Sequence, residues 1–178
     1  MIKIKQFDKS NASNIANAGE LLRLNFDAYK TDFIKEVQEC MADDMIMLAA
    51  MEEDNLVGWV GARPQYDGNV WELHPLVINK KYRGRGIGTK LVKALESEIS
   101  NMGGLTIYCG SDDEDFQTSL SEFDIYNNLW DKIKNIENYK NHPYEFYQEC
   151  GFQIIGIMPD ANGRRKPDII LGKKIEKE

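Results

Sequence analysis

The chain has 178 residues, of which 42% are hydrophobic and 29% charged, a balance that predicts one globular domain spanning residues 1–178. Its net charge of −7 argues against a nucleic-acid partner, which needs a basic footprint, and no apolar run is long enough to cross a bilayer. Three cysteines far apart (Cys40, Cys109 and Cys150), with no CxxC pair, argue against a disulfide framework or a zinc site, and the early polar turn in MIKIKQFDKSN argues against a signal peptide, so a cytoplasmic location is expected.

IKIKQF (2–7) alternates apolar and polar residues as a half-buried strand does. Residues 13–27 carry Ile15, Leu21, Leu22 and Phe26 at helical spacing, and Thr31 is placed to cap a second helix bearing Phe33, Ile34, Val37 and Met41. Strands follow at 45–51 and 56–66, joined by the turn EEDN. Asp67-Gly68 then marks a turn into a third strand, VWELHPLVI (70–78). A long helix opens at RGRGIG, with Ile87, Leu91, Leu95, Ile99 and Met102 on one face, and Gly103-Gly104 stops it. LTIYCG (105–110) reads as a short buried strand and the acidic stretch 111–124 as a loop. A helix over Ile125, Leu129, Ile133 and Ile136 comes next. In HPYEFYQECGF, Pro143 stands in a helix's first turn and Gly151 just past its end, before strands at 152–158 and 168–175. The order is mixed α/β.

Residues 83–88, RGRGIG, are a glycine-rich turn opening a helix, a place where backbone N–H groups and the helix dipole favour an anion. A dinucleotide fingerprint would stand after the first strand with different spacing, and no Lys-Ser/Thr pair follows to make a P-loop. The stretch fits a Q/R-x-x-G-x-G/A pattern, placed after a strand and before an amphipathic helix. It resembles the acyl-CoA loop of the GCN5-related N-acetyltransferase superfamily. That resemblance implies an α/β (α+β) fold with a central, mostly antiparallel mixed sheet flanked by helices, and a splayed strand pair that receives CoA. Arg83, Gly84, Arg85, Gly86, Ile87, Gly88 and Thr89 would then cradle the pyrophosphate, the glycines lacking the Cβ that would collide with it. Leu76, Val77 and Ile78 would offer backbone groups to the pantetheine arm. Pro75, with no N–H, suits a strand that breaks its pairing there. Tyr147 falls where the superfamily places a tyrosine near the thioester sulfur. The asparagine expected seven residues earlier is Lys140, with Asn141 one place late, so no asparagine contact is assigned.

Four further segments, WELHPL (71–76), GSDDEDFQTSLSEFDIYNN (110–128), HPYEFY (142–147) and DANGRRKPDI (160–169), resemble the aminoglycoside 6′-N-acetyltransferases of the chromosomal enterococcal type, in order and over nearly the whole chain. The implied reaction is attack of a primary amine on acetyl-CoA, with no metal. The acceptor is a polycation that suits an acidic protein, and a homodimer is the assembly the resemblance suggests. A protonated amine must lose a proton before it attacks, so a carboxylate nearby is required. Glu72 is the first candidate, two residues from His74 and four from Leu76, hence on one strand face unless a bulge intervenes. Asp115 competes for that role from the acidic loop, while Asp112, Asp113, Tyr66 and Asp27 are candidates for holding the acceptor. Tyr147, protonated at neutral pH, would donate to the leaving thiolate. His74 and His142 read as structural. Acetylation of a polyamine or a protein lysine, or acyl-CoA sensing without turnover, remain the rival readings.

Overall fold

The computed structural model describes residues 1–26, 30–122 and 124–176, which include seven strands and five helices. The chain divides into two compact units, Met1–Ile107 with Ile175–Glu178, and Tyr108–Lys174.

The first unit is built on an antiparallel meander of β1 (Ile2–Gln6), β2 (Ile46–Glu52), β3 (Asn55–Gln65) and β4 (Val70–Ile78). The turn between β3 and β4 falls at Tyr66–Gly68, where Asp67 and Gly68 both take positive φ, as the Asp-Gly signal predicts. Helices α1 (Ala12–Asn25) and α2 (Phe33–Cys40) pack with β2 and β3 around Leu22, Val37, Met47 and Trp59, and the Trp59 indole N–H donates to the Ala18 carbonyl at 3.2 Å. Asn11 caps α1 by accepting from the Asn14 N–H at 3.0 Å. Thr31 does not cap α2 as its position predicts. The N-cap is Asp32, without a side-chain hydrogen bond, and the Thr31 hydroxyl turns to that aspartate instead. Helix α3 (Ile87–Asn101) buries Ile87, Leu91, Leu95 and Ile99, the stripe read from sequence, whereas Met102 lies past its end and is exposed. Gly103 at φ 84° ends the helix, and Gly104 follows in a gap where a Cβ would come within 2.8 Å of the Trp71 ring.

The second unit carries strands in the order β5 (Thr106–Asp112), β7 (Asp168–Lys174), β6 (Gln153–Met158), with β6 and β7 antiparallel. Helix α4 is shorter than the apolar spacing predicts. It covers only Leu129–Lys134, and Ile125 is buried ahead of it in the loop. Asn128, with φ 57°, breaks the helical path between them. Helix α5 (Tyr144–Glu149) starts after Pro143 and ends before Gly151, whose φ of 91° suits glycine. No helix among the described residues is long and apolar enough to cross a membrane.

Candidate active site

The β3–β4 register decides what Glu72 faces. Arg63 pairs with Glu72, Ala62 with Leu73 and Val60 with Leu76, so two steps along β3 span three along β4. The extra residue is a bulge at His74–Pro75, whose peptide bond is cis. Gly61 stands opposite it because a Cβ there would come within 2.5 Å of the His74 carbonyl oxygen. Residues directly opposite in a ladder share a face. Trp59, which bonds α1, sets the face for Val77, and Arg63 sets it for Glu72. Leu76 is paired with Val60 and points to the other side. The expectation that Glu72, His74 and Leu76 share one face is therefore corrected: a bulge does intervene, and only Glu72 and His74 stay together.

On that face four charged or titratable side chains from three elements meet. His74 Nε2 donates to the Glu36 carboxylate of α2 at 3.0 Å, and Arg63 Nε lies 3.3 Å from Glu72 Oε2. The hydrogen bond from His74 holds the Glu36 carboxyl below its ordinary value against the cost of burial, and the charges of His74 and Arg63 add to it. Cys40 sits beneath this group, its thiol 3.8 Å from the His74 carbonyl oxygen. Burial pushes that thiol up to about 12, with the negative charge of Glu36 adding, so it is inert at neutral pH. Glu36 and Arg63 were missed in the sequence. The signal for Arg63 was present in the hairpin: the Asp-Gly turn fixes a register in which an arginine stands opposite a glutamate. Glu36 carries no such local signal.

The glycine turn takes the form an anion site needs. Gly84 and Gly86 have φ of 73° and 71°, a region costly for other residues, and a Cβ at either would meet open space. Gly88 has no such φ, and lies within α3, so its backbone does not need glycine for its conformation. Gly86 is the N-cap of α3 and offers no side chain to the first helical N–H groups, which leaves those of Ile87, Gly88 and Thr89 for a ligand. Arg83 is engaged with the Ile78 carbonyl at 3.4 Å and Asn25 at 2.5 Å, tying the turn to β4 and α1, and Arg85 lies over the Tyr82 ring at 4.9 Å. Leu76, Val77 and Ile78 pair along β3 with Val60, Trp59 and Gly58. Tyr66 is 77% exposed at the β3–β4 turn and, with Asp44, Gln65, Trp71 and Met102, lines a groove of about 460 Å³.

In the second unit the acidic stretch is not one solvated cluster. Asp113 is fully buried and accepts from the N–H of Gln117 (2.6 Å) and Thr118 (2.9 Å) and the hydroxyls of Thr118 (2.8 Å) and Ser121 (2.6 Å). Burial opposes its ionisation, but these four donors outweigh it and keep the carboxyl below its ordinary value. Asp113 is thus a hub of the loop, its buried carboxylate engaged by the loop's own donors. Asp112 is exposed, and its carboxylate takes a hydrogen bond from the Asn162 amide of the segment after β6. Asp115 is exposed, its carbonyl accepting from Lys140 at 3.1 Å while its carboxylate has no hydrogen-bond partner among the described residues. His142 is buried, donates from Nε2 to the Asp112 carbonyl at 3.0 Å and accepts at Nδ1 from the Tyr144 N–H at 3.2 Å. Burial pushes it below its ordinary value despite that carbonyl and the nearby aspartates, so it is the neutral pin between loop and helix. Tyr147 packs edge-on against Phe146 and Phe152 and is only 9% exposed. Burial raises its hydroxyl well above the ordinary tyrosine value, which keeps the proton on it. Asp27 lies outside the described residues. No group of three or more metal-ligating side chains occurs among the described residues.

Residues 16–118 match the Acetyltransferase (GNAT) family. An aminoglycoside 6′-N-acetyltransferase solved in complex with coenzyme A is similar at 44% identity and a TM-score of 0.96, covering 99% of this chain and 98% of that one. The aminoglycoside 6′-N-acetyltransferase from Enterococcus faecium is similar at 44% identity and a TM-score of 0.94, with the same coverage of 99% and 98%. The spermine/spermidine N(1)-acetyltransferase of Bacillus subtilis (strain 168) is 26% identical over 161 residues, 84% of this chain and 89% of its own length. The family match takes in more than half of the chain and the structural likenesses nearly all of it, so the chain belongs to the GNAT acetyltransferase family and is an acetyl-CoA-dependent N-acetyltransferase.

Proposed function

We propose that the acceptor of this acetyltransferase is the 6′-amine of an aminoglycoside. The observation that carries the reading is 44% identity over 99% of the chain with proteins named for that reaction. The α3 N-terminus at Gly86–Thr89 receives the pyrophosphate of acetyl-CoA, and backbone N–H groups of β4 polarise the thioester carbonyl. The acceptor ammonium gives its proton to a carboxylate, Glu72 or Asp115, directly or through one water, and the freed nitrogen attacks the carbonyl carbon. As the C–S bond breaks, the nitrogen sheds its second proton and the CoA thiolate takes one up through solvent, while the Tyr147 hydroxyl, kept protonated by burial, donates a hydrogen bond to the sulfur. Asp112 and Asp115, exposed on the acidic loop, and Tyr66, at the rim of its groove, serve the remaining amines and sugar rings. A cytoplasmic homodimer is the assembly this reading carries.

A second acceptor class has its own support, since the B. subtilis relative at 26% identity is named for spermine and spermidine. Free-thiol release from acetyl-CoA with kanamycin, spermidine and a histone-like peptide as acceptors separates the readings. Kanamycin is expected to give the highest kcat/KM of the three. Turnover with spermidine and none with any 6′-amino aminoglycoside overturns the proposal, and acetyl-CoA binding without turnover of any acceptor points to a sensor instead.

A further inference from the structure

A cation stands where a cationic substrate has to be received. Arg63 presents its Nε to Glu72 at 3.3 Å, and that nitrogen is buried with no hydrogen bond in the described structure. The contact is thus electrostatic and incompletely satisfied. The two side chains remain partly open to solvent, 37% for Arg63 and 26% for Glu72. Around them, Glu36 is already occupied by His74 at 3.0 Å, so Arg63 has Glu72 as its close anionic partner and exerts a weaker pull on Glu36.

We propose that Arg63 is a specificity-determining residue that holds Glu72 in an internal ion pair, so that an acceptor's ammonium must take over the carboxylate from a resident cation. The inference rests on the reading that Glu72 faces the acceptor amine. Two consequences follow from charge alone. The resident guanidinium offsets the negative charge of Glu72 and so weakens the site's hold on any amine. It also sets a threshold in favour of acceptors whose additional amines find counter-charges elsewhere, over acceptors with one amine. A pair this exposed is worth little, which makes the takeover feasible: the expected effect on acceptor affinity is about twofold to fivefold.

The test is steady-state kinetics on Arg63→Met, which keeps the apolar stem, and Arg63→Lys, which keeps the charge, each also made in a Glu72→Gln background. Acceptors are kanamycin, spermidine and a monoamine. Arg63→Met is expected to lower KM for all three about twofold to fivefold, most for the monoamine, leaving KM for acetyl-CoA unchanged. Arg63→Lys is expected to stay near wild type. In the Glu72→Gln background the Arg63→Met effect should vanish, the mark of a pairwise interaction and not of a general structural change. Unchanged or raised acceptor KM in Arg63→Met, or the same effect with and without Glu72, overturns the proposal. If Arg63→Met fails to fold, Arg63→Gln carries the same test. Failure of the aminoglycoside reading shows separately, as wild-type turnover confined to spermidine or the monoamine, and the Arg63 effect is then read on those acceptors.

Discussion

At the scale of single residues, the acidic loop is governed by Asp113. A buried carboxylate with four donors gains about 1.5–3 kcal/mol from each hydrogen bond to its charge, and the amide of an asparagine would confront donors with donors. Asp113→Asn is therefore expected to lower the melting temperature by roughly 3–12 °C through even one lost bond in a chain of this size. The pH dependence has a definite sign. Asp113 has a folded value below its unfolded one, near 3.9, so its contribution is complete above about pH 4 and is lost as pH falls through the folded value. His142, held neutral by burial, resists protonation when folded, so stability also declines as pH drops below about 6.5. Melting curves from pH 7.5 down to pH 3 should show both declines in wild type, with the lower one reduced in Asp113→Asn to the share that Glu36 keeps. A variant that keeps the low-pH decline unchanged contradicts the role given to Asp113.

At the scale of elements, the proposed site is built on two local irregularities. The first is the left-handed start of α3. Gly86→Val puts a β-branched residue at φ 71°, where an ordinary residue costs about 1–2 kcal/mol, and it moves the N–H groups of Ile87–Thr89. Its KM for acetyl-CoA should rise about tenfold, the equivalent of ~1.4 kcal/mol, with a smaller change in acceptor KM. Equal rises for both substrates would remove the assignment of this turn to the donor. The second is the bulge in β4. Strand positions, the Asp-Gly turn and the α3 stripe were legible in the sequence, because alternation and helical spacing report burial directly. The bulge was not, because burial alternates without a break along β4, Trp71, Leu73, Pro75 and Val77 being the buried set, while the faces exchange at His74–Pro75. Asp113 was hidden for a related reason: among neighbouring acids, composition does not say which one turns inward. The Glu36–His74 pair joins residues 38 apart in the chain, beyond the reach of any local pattern.

At the scale of the whole molecule, an excess of acidic over basic residues, 29 against 22, raises the local concentration of cationic acceptors but does not choose among them. On the proposed reading, that choice falls to Glu72 with its resident Arg63. The central claim is that acetyl passes to one particular amine, the 6′-amine of an aminoglycoside. The measurement that tests it most directly is NMR of the kanamycin product formed with acetyl-CoA, beside an analogue bearing a hydroxyl in place of that amine. The account predicts one acetyl group, on the 6′-nitrogen, and no N-acetylated product from the hydroxyl analogue. Acetyl on any other amine, or equal N-acetylation of the analogue, would contradict it.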